Sequence, residues 1–570
     1  MSPPRVRRRV LLALVLVGLA YASVIQSFSA NQTSHFDLIQ ALGQGTAQID
    51  AYLPGPRHAG HYDTIDKACF PSHPGDVNCQ RGHWYSARAP GLALLTLPWY
   101  GALTAVNADS LAVTMAAQKG DDEIIWMVGL WGDVLPALLL LILVWRVTER
   151  FEPGFGGAAA LAVGLGTLML PLSTLLFSHV LGAMLAFAAF AVLMRERDGP
   201  ERTGLLLGAG LLVGVALTVE YPTLFVGTVL GLYAMSRRSG SAWSWAQALR
   251  RGVVYAFGIG IGVIPLAIYN QLAFGSITHV AYHDIQHNQT GFFGIRAPDL
   301  SAAYALLFDS RGLLTLAPVL VMAAFGLVAM YRRGHRAEVA VIAGTFLVYL
   351  IYNSGYFLPF GGGVPGPRFL TTTLPFLAVA IAAALRRHPG PTIALAGASV
   401  LCFVTATLTH PLVGFETETV EWMRLVRTHF FQPSIVTALG FGRGWVDPLP
   451  FLLLAGAAIA LVATVTPRLA LTPRALLWGL LAVGAWALLA AFAPYALGID
   501  HAGLQKIVEA GDPTPFHPPS FRAHSNHPLA SLAPAGAIAG AAALLIARLS
   551  SLGRGRGRGP TRPPAAVSPP

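Results

Sequence analysis

The sequence predicts an all-α, polytopic membrane protein, and three observations carry that prediction. Of its 570 residues, 54% are hydrophobic and only 11% are charged, whereas soluble domains carry about 25% charged residues. Runs such as VLLALVLVGLAYASVIQSF and VLPALLLLILVWRV approach the roughly 20 apolar residues that a helix needs to cross a bilayer. The polar residues between such runs are gathered into loops, which leaves no stretch with its own soluble core.

In chain order, spans are expected near residues 10–29, 124–146, 155–176, 178–194, 203–219, 221–236, 252–273, 312–331, 339–357, 369–385, 392–409, 449–466, 475–496 and 528–548. About 12–14 transmembrane helices follow. Arg5, Arg7, Arg8 and Arg9 precede the first run, and no small-residue cleavage pattern follows it, so it reads as a retained span. With the N-terminus inside, most of the 38 Lys and Arg fall on inner segments, as the positive-inside rule requires. Of the 17 histidines, only His335 and His388 are then inside. Both termini are cytoplasmic, and the titratable chemistry lies outside. The formal charge of +11 therefore reports topology and gives no reason to expect a nucleic-acid partner.

The same bias settles the run 91–106, GLALLTLPWYGALTAV. A crossing there would move Arg146 and Arg150 outside and invert every later loop, so this run is expected to lie in the outer interface or to enter and return. Residues 1–548 read as one membrane domain with a first outer loop over 31–122. Residues 549–570 read as a disordered basic tail whose contact is anionic lipid. The loops 274–311, 410–448 and 497–527 have room for short helices. Cys69 and Cys79 share the first outer loop and are expected to form a disulfide, while Cys402 falls within a span.

Candidate chemistry concentrates in that first loop. Asp37, in Ser34-His35-Phe36-Asp37, places a carboxylate where the membrane meets water, although Asp37 or Ser34 could equally cap a helix made by LIQALGQG. Asp50, Asp63 and Asp66 follow, with Lys67 beside Asp66. The segment Gly82-His83-Trp84-Tyr85-Ser86-Ala87-Arg88-Ala89-Pro90-Gly91 then brings a guanidinium to the interface, suited to phosphate or to a snorkelling anchor.

These residues resemble the C-type membrane glycosyltransferases, in the branch with protein O-mannosyltransferases and the lipid A aminoarabinose transferase (glycosyltransferase family 39-like). The similar pattern reads Ser-basic-aromatic-Asp, Ile-Asp-x-Tyr, Asp-Lys-Ala and Gly-x-Tyr-Tyr-Ser-x-Lys-Ala-Pro-Gly. Here it is Ser34-His35-Phe36-Asp37, Ile49-Asp50-Ala51-Tyr52, Asp66-Lys67-Ala68 and Gly82 to Gly91, with Arg88 where relatives often carry lysine. The two cysteines and the proline-rich piece between them fall outside the pattern. Downstream, Glu220-Tyr221-Pro222, Arg311-Gly312-Leu313-Leu314 and Gly366-Pro367-Arg368-Phe369-Leu370 are similar to stretches of the same group, so the resemblance covers about two thirds of the chain.

The resemblance implies inverting transfer of a sugar from a polyprenyl-phosphate donor to a glycan, lipid or protein acceptor on the outer face, in a bacterial plasma membrane. Asp37 would be the general base, and Arg88, with Arg311 or Arg368, would neutralise the departing phosphate. His35, Asp50, Asp66, Lys67, Tyr85 and Glu220 complete the candidates for substrate or phosphate binding. No cofactor or metal is assigned.

Asp133 and Glu220 are carboxylates within or at the edge of spans, which marks them as functional or as polar locks between helices; Asp133 reads as a lock. His179, at another hairpin, reads as a capped histidine or a ligand contact. His283 and His287 have helical metal-site spacing, but no third ligand is assigned. Asn31 and Asn288 begin sequons. The competing reading is a multi-span transporter or lipid flippase, which the absence of a convincing internal repeat disfavours. A third is a non-catalytic envelope scaffold.

Overall fold

The computed structural model describes residues 4–55, 58–59, 64, 66–73, 76, 78–108, 122–199, 201–236, 244–285, 292–412, 422–496 and 529–556. Among them, seven helices are long and apolar enough to cross a membrane, and two bent pairs bring that to nine. Five shorter apolar helices accompany them. The molecule is a polytopic helical membrane protein.

The first span differs from expectation. Helix α1 (Pro4–Ala22) ends seven residues early, and α2 (Ala30–Gly43) begins after an extended link. A capping box explains the start of α2: Ser29 is its N-cap, and Gln32 Oε1 accepts from the Ser29 amide at 2.8 Å. Ser34 and Asp37 are thus in mid-helix and cap nothing.

An antiparallel hairpin follows, β1 (Lys67–Phe70) on β2 (His83–Ser86), with Lys67 opposite Ser86 and Phe70 opposite His83. The expected Cys69–Cys79 disulfide closes it, with Cα atoms 5.6 Å apart. Helix α3 (Gly91–Ala105) is the disputed apolar run. Its start packs on Thr218 and Val219, and Trp99 Nε1 donates to the Met127 carbonyl at 2.8 Å, near the start of α4 (Glu123–Phe151). At 15 residues α3 is one of the shorter apolar helices, and both contacts lie at the loop end of the bundle.

The bundle continues through α5 (Gly156–Gly166), α6 (Ser178–Arg197), α7 (Thr203–Val219) and α8 (Thr223–Met235), then the pair α9 (Trp245–Gly262) and α10 (Ile264–Phe274), bent by 42°. The expected span 155–176 stops at Gly166 and resumes only as a short turn over Met169–Leu172. The expected span 312–331 is also broken. Residues Leu300–Leu316, which include α11 (Leu300–Phe308), meet Pro318–Arg332, which include α12 (Val321–Arg332), at 95°. Pro318 cannot donate to the preceding turn, which allows that break.

Then come α13 (Arg336–Ser354), α14 (Arg368–Arg387), α15 (Pro389–Thr409), α16 (Leu449–Val465), α17 (Pro473–Ala496) and α18 (Leu529–Arg556). Helix α14 is the centre, its apolar window wholly buried. Helix α18 continues to Arg556, so the tail proposed to start at 549 begins as helix; residues 557–570 lie outside the described residues.

Two close approaches fix the end of α7. Gly210 and Gly214 meet the α9 backbone so tightly that an added Cβ would sit 2.0 Å from the Tyr255 carbonyl oxygen and 2.4 Å from that of Ile259. Small residues at four-residue spacing allow such helix contact in membranes. A Cβ at Gly91 would lie 2.5 Å from the Thr218 carbonyl oxygen, two residues before Glu220. Gly91→Ala is therefore expected to destabilise the protein by about 1–3 kcal/mol. Thermal unfolding in detergent measures this, and an unchanged midpoint would contradict the packing of α3 on α7.

Candidate active site

The site is assembled where α2, the two ends of the hairpin, the α7–α8 turn and the start of α14 meet. Asp66 precedes β1 and Arg88 follows β2, so the hairpin presents both together. The Ala87 amide donates to the Asp66 carbonyl at 2.9 Å, and Arg88 Nη2 donates to Asp66 Oδ2. Ser34 on α2 locks the same corner, bonding the Asp66 carbonyl at 2.6 Å and Ser86 Oγ at 2.8 Å. With its carboxamide oxygen turned towards the guanidinium, Asn31 accepts from Arg88 Nε at 2.9 Å and from Nη2 at 3.0 Å. Asn31 is buried, so in the folded chain its sequon is occupied by this contact.

Burial pushes the Asp66 carboxyl up, but Arg88 more than offsets this and holds it below the usual carboxylate range. Arg88 is destabilised by its own burial and then raised by Asp66, so it stays charged.

Glu220 caps the end of α7. The Ser178 hydroxyl donates to its Oε2, and His179 Nδ1 lies 3.1 Å from the same oxygen. Burial raises the Glu220 carboxyl, and His179 and Ser178 reverse this to leave it below its ordinary value. Asp133 supports that arrangement as a lock: its Oδ1 accepts from the Phe177 amide at 3.2 Å, at the start of the helix that carries Ser178 and His179.

Arg368 enters from the start of α14, only 6% exposed. Its guanidinium rests over the rings of Phe177 at 5.6 Å and Phe369 at 5.3 Å. It lies within electrostatic reach of Arg88, Asp66 and Glu220. Among the described residues it has no ion-pair partner, and its Nε is buried without a hydrogen bond.

His35 is one turn after Asn31 on α2, wholly buried, and both ring nitrogens lack a partner among the described residues. Burial first, then the neighbouring Arg88, pull its pKa down to about 3, so the ring is neutral at physiological pH. Glu220, Asp66 and His179 also face it.

The structure thus brings together His35, Asp66, Arg88, Glu220 and Arg368 of the expected set. Asp37 is buried on α2, but two residues beyond His35 corresponds to roughly 200° of helix rotation. It lies within electrostatic reach of Tyr52. Asp50 accepts from the Trp84 amide at 3.2 Å and shapes the hairpin. Lys67 lies 4.9 Å over the Trp84 ring. Tyr85 packs on Phe274, centroids 5.1 Å apart. Arg311 Nη1 donates to the Val364 carbonyl at 3.2 Å and supports the loop leading to Arg368. Asp63, His287 and Asn288 lie outside the described residues. His279 bonds Asp284 at 2.6 Å, and among the described residues no three His, Cys, Asp or Glu side chains are grouped to hold a metal ion.

The class this defines is a helical polytopic membrane protein with a buried mixed-charge site at one end. No family model matches the sequence, and no curated protein matches it. Among solved structures the chain is similar to ArnT from Cupriavidus metallidurans in the apo state, at 16% identity and TM-score 0.42, over 85% of this chain and 78% of that one. It is similar to ArnT from the same organism bound to undecaprenyl phosphate, at 12% identity and TM-score 0.39, over 97% and 79%. An oligosaccharyltransferase from Archaeoglobus fulgidus in the apo form gives 13% identity and TM-score 0.36, over 80% and 55%. Likenesses at this level assign no residue of this chain a role.

A testable consequence concerns His35. An unfolded histidine takes up a proton near pH 6.5, and the folded ring resists until about pH 3. Between those values the unfolded state binds the extra proton, so stability falls as pH drops, by up to about 1.4 kcal/mol per pH unit from this group. Unfolding midpoints measured from pH 7 to pH 4 should show this slope, and His35→Phe should flatten it.

Proposed function

We propose that this chain is a membrane glycosyltransferase that moves a sugar from a polyprenyl-phosphate donor to an acceptor hydroxyl on the outward face of a cell membrane. The observation that carries the reading is Arg368: a nearly buried guanidinium without a carboxylate partner among the described residues, within electrostatic reach of a second, partly buried arginine, Arg88. Such a charge is costly unless an anion completes it. Two arginines at a membrane rim suit a lipid phosphate, because guanidinium donors match phosphate oxygens bidentately.

The geometry supports a specific division of work. The phosphate of the donor takes guanidinium donors of Arg88 and Arg368, which loosens the hold of Arg88 on Asp66. Asp66 accepts the proton of the acceptor hydroxyl while that oxygen bonds to the anomeric carbon. The bond from that carbon to the phosphate oxygen breaks, and the electron pair leaves with the lipid phosphate. Negative charge grows on the phosphate as this happens, so the arginines bind the transition state better than the ground state. Attack opposite the leaving group inverts the anomeric carbon. Asp66 is given the role expected for Asp37 because it touches Arg88, whereas Asp37 lies roughly 200° around α2 from His35.

The test uses purified full-length protein in lipid, a polyprenyl-phosphate sugar and an acceptor, with lipid phosphate release as the readout. Arg368→Gln should weaken donor binding about ten- to hundredfold, the worth of a charged hydrogen bond or two. Asp66→Asn should lower turnover about hundredfold or more, and Asp37→Asn should leave most of it. The opposite pattern in the two aspartate variants would return the base to Asp37. Solute counterflow in liposomes without sugar transfer would instead identify a transporter.

A further inference from the structure

The charged cluster has an aromatic wall, of which only Tyr221 belongs to a motif read from the sequence. Tyr221 follows Glu220 in the α7–α8 turn, Tyr282 lies on the short turn Ala281–Asp284, and Tyr352 and Tyr356 flank the end of α13. The Tyr221 and Tyr282 rings meet edge to face at 5.4 Å. Those of Tyr352 and Tyr356 are 5.5 Å apart, and Phe369, beside Arg368, touches both at 5.8 Å and 5.4 Å.

Tyr282 joins the wall to the charges. It is within electrostatic reach of Arg88, Glu220, Arg368 and Asp66. Tyr356 faces Tyr282, Arg88, Arg368 and Asp66; Tyr352 faces Tyr356, Tyr282 and Glu220; Tyr221 faces Tyr282 and Glu220. Among the described residues, none of these four hydroxyls has a hydrogen-bond partner, and none is sealed in as those of Tyr52 and Tyr269 are. Four phenols whose hydroxyls have no hydrogen-bond partner among the described residues are thus gathered next to two arginines.

We propose that this tyrosine wall is the subsite for the sugar ring carried on the phosphate, an inference that rests on the glycosyltransferase reading. A sugar ring offers an apolar C–H face, which suits an aromatic ring, and hydroxyls that both donate and accept. Phenol hydroxyls also do both, so the wall can satisfy a polyhydroxylated ring in a way that a lipid phosphate alone does not require. Arginines then hold the phosphate, and tyrosines orient the anomeric carbon towards Asp66.

The experiment compares two ligands on the full-length protein: a panel of short-chain polyprenyl-phosphate sugars, and polyprenyl phosphate without a sugar. The double variant Tyr282→Phe/Tyr356→Phe keeps both rings and loses two hydroxyls. It should raise the KM for the best sugar donor about tenfold, leave the Kd for polyprenyl phosphate within about twofold, and keep the wild-type unfolding midpoint. Tyr282→Phe alone should show a smaller shift in the same direction and serves if the double variant fails to fold. An equal loss for both ligands would make the wall a phosphate contact, and a rise in acceptor KM alone would assign it to the acceptor. Either result overturns the proposal, as does an unmoved KM in an active enzyme. A wild-type protein that transfers no sugar from any donor removes the glycosyltransferase reading and the subsite with it.

Discussion

Partial burial of Arg88, whose side chain keeps 14% of its exposure, is the constraint on which the rest of this end of the molecule depends. Taking a guanidinium out of water costs several kcal/mol unless opposite charge and hydrogen-bond acceptors meet it. Three separate pieces of chain are arranged to do so. The hairpin brings Asp66 back beside it, α2 supplies Asn31, and the α7–α8 turn places Glu220 within electrostatic reach. With Arg368 added, the cluster holds two cations and two anions. It is balanced as a whole while leaving one cation without a direct partner among the described residues.

The backbone devices follow from that requirement. Arg88 can approach Glu220 only because the chain turns into α3 through Pro90 and Gly91, where a side chain would collide with α7. The end of α7 is in turn held by its glycine seam with α9. The disulfide closes the hairpin on the side away from the ion pair, so the register that sets Asp66 beside Arg88 is fixed from both ends. The aromatic face of the hairpin, Phe70 and Tyr85, packs on Phe274. That contact draws the loop after α10 over the site and brings Tyr282 with it.

The fold was legible in sequence because apolar runs of span length are a composition signal, and charge bias gave the expectation of an interfacial α3. The broken spans were less legible, since apolar runs stay continuous through a bend; Pro318 was the visible sign. In the site, Arg88, Asp66, Glu220 and Arg368 could be named from motifs, but their grouping could not be read from spacing. Asp37 shows why. Its place just after the first span made it a candidate base, with the cap of a helix made by LIQALGQG as the alternative, yet Ser29-Ala30-Asn31-Gln32 carries the S-x-x-Q pattern of a capping box and starts α2 earlier. Once that start is fixed, helical periodicity alone turns Asp37 away from His35. Asn31, Ser178, Tyr282, Tyr352 and Tyr356 gave no comparable signal, because each matters only through a partner far along the chain.

The opposite end of the bundle shows what a purely structural charge cluster looks like in the same molecule. Glu196 is buried and gripped by Arg251 through Nη1 at 2.7 Å and Nη2 at 2.5 Å, while Arg251 Nε donates to the Ala234 carbonyl at 2.8 Å. Glu152, fully buried, accepts from Arg333 on one oxygen and from Arg386, at 3.0 Å, on the other. Both acids are saturated, which is how a buried ion pair ties helices together without inviting a ligand. The site end uses the same residue types and leaves bonding capacity over: Arg368 Nε, both nitrogens of His35 and His179 Nε2 are buried without partners among the described residues. Unmade bonds of this kind each cost about 1–3 kcal/mol, and four of them gather around two arginines. A ligand bearing an anion and several hydroxyls would supply such partners, whereas the carboxylates of the helix locks already have theirs.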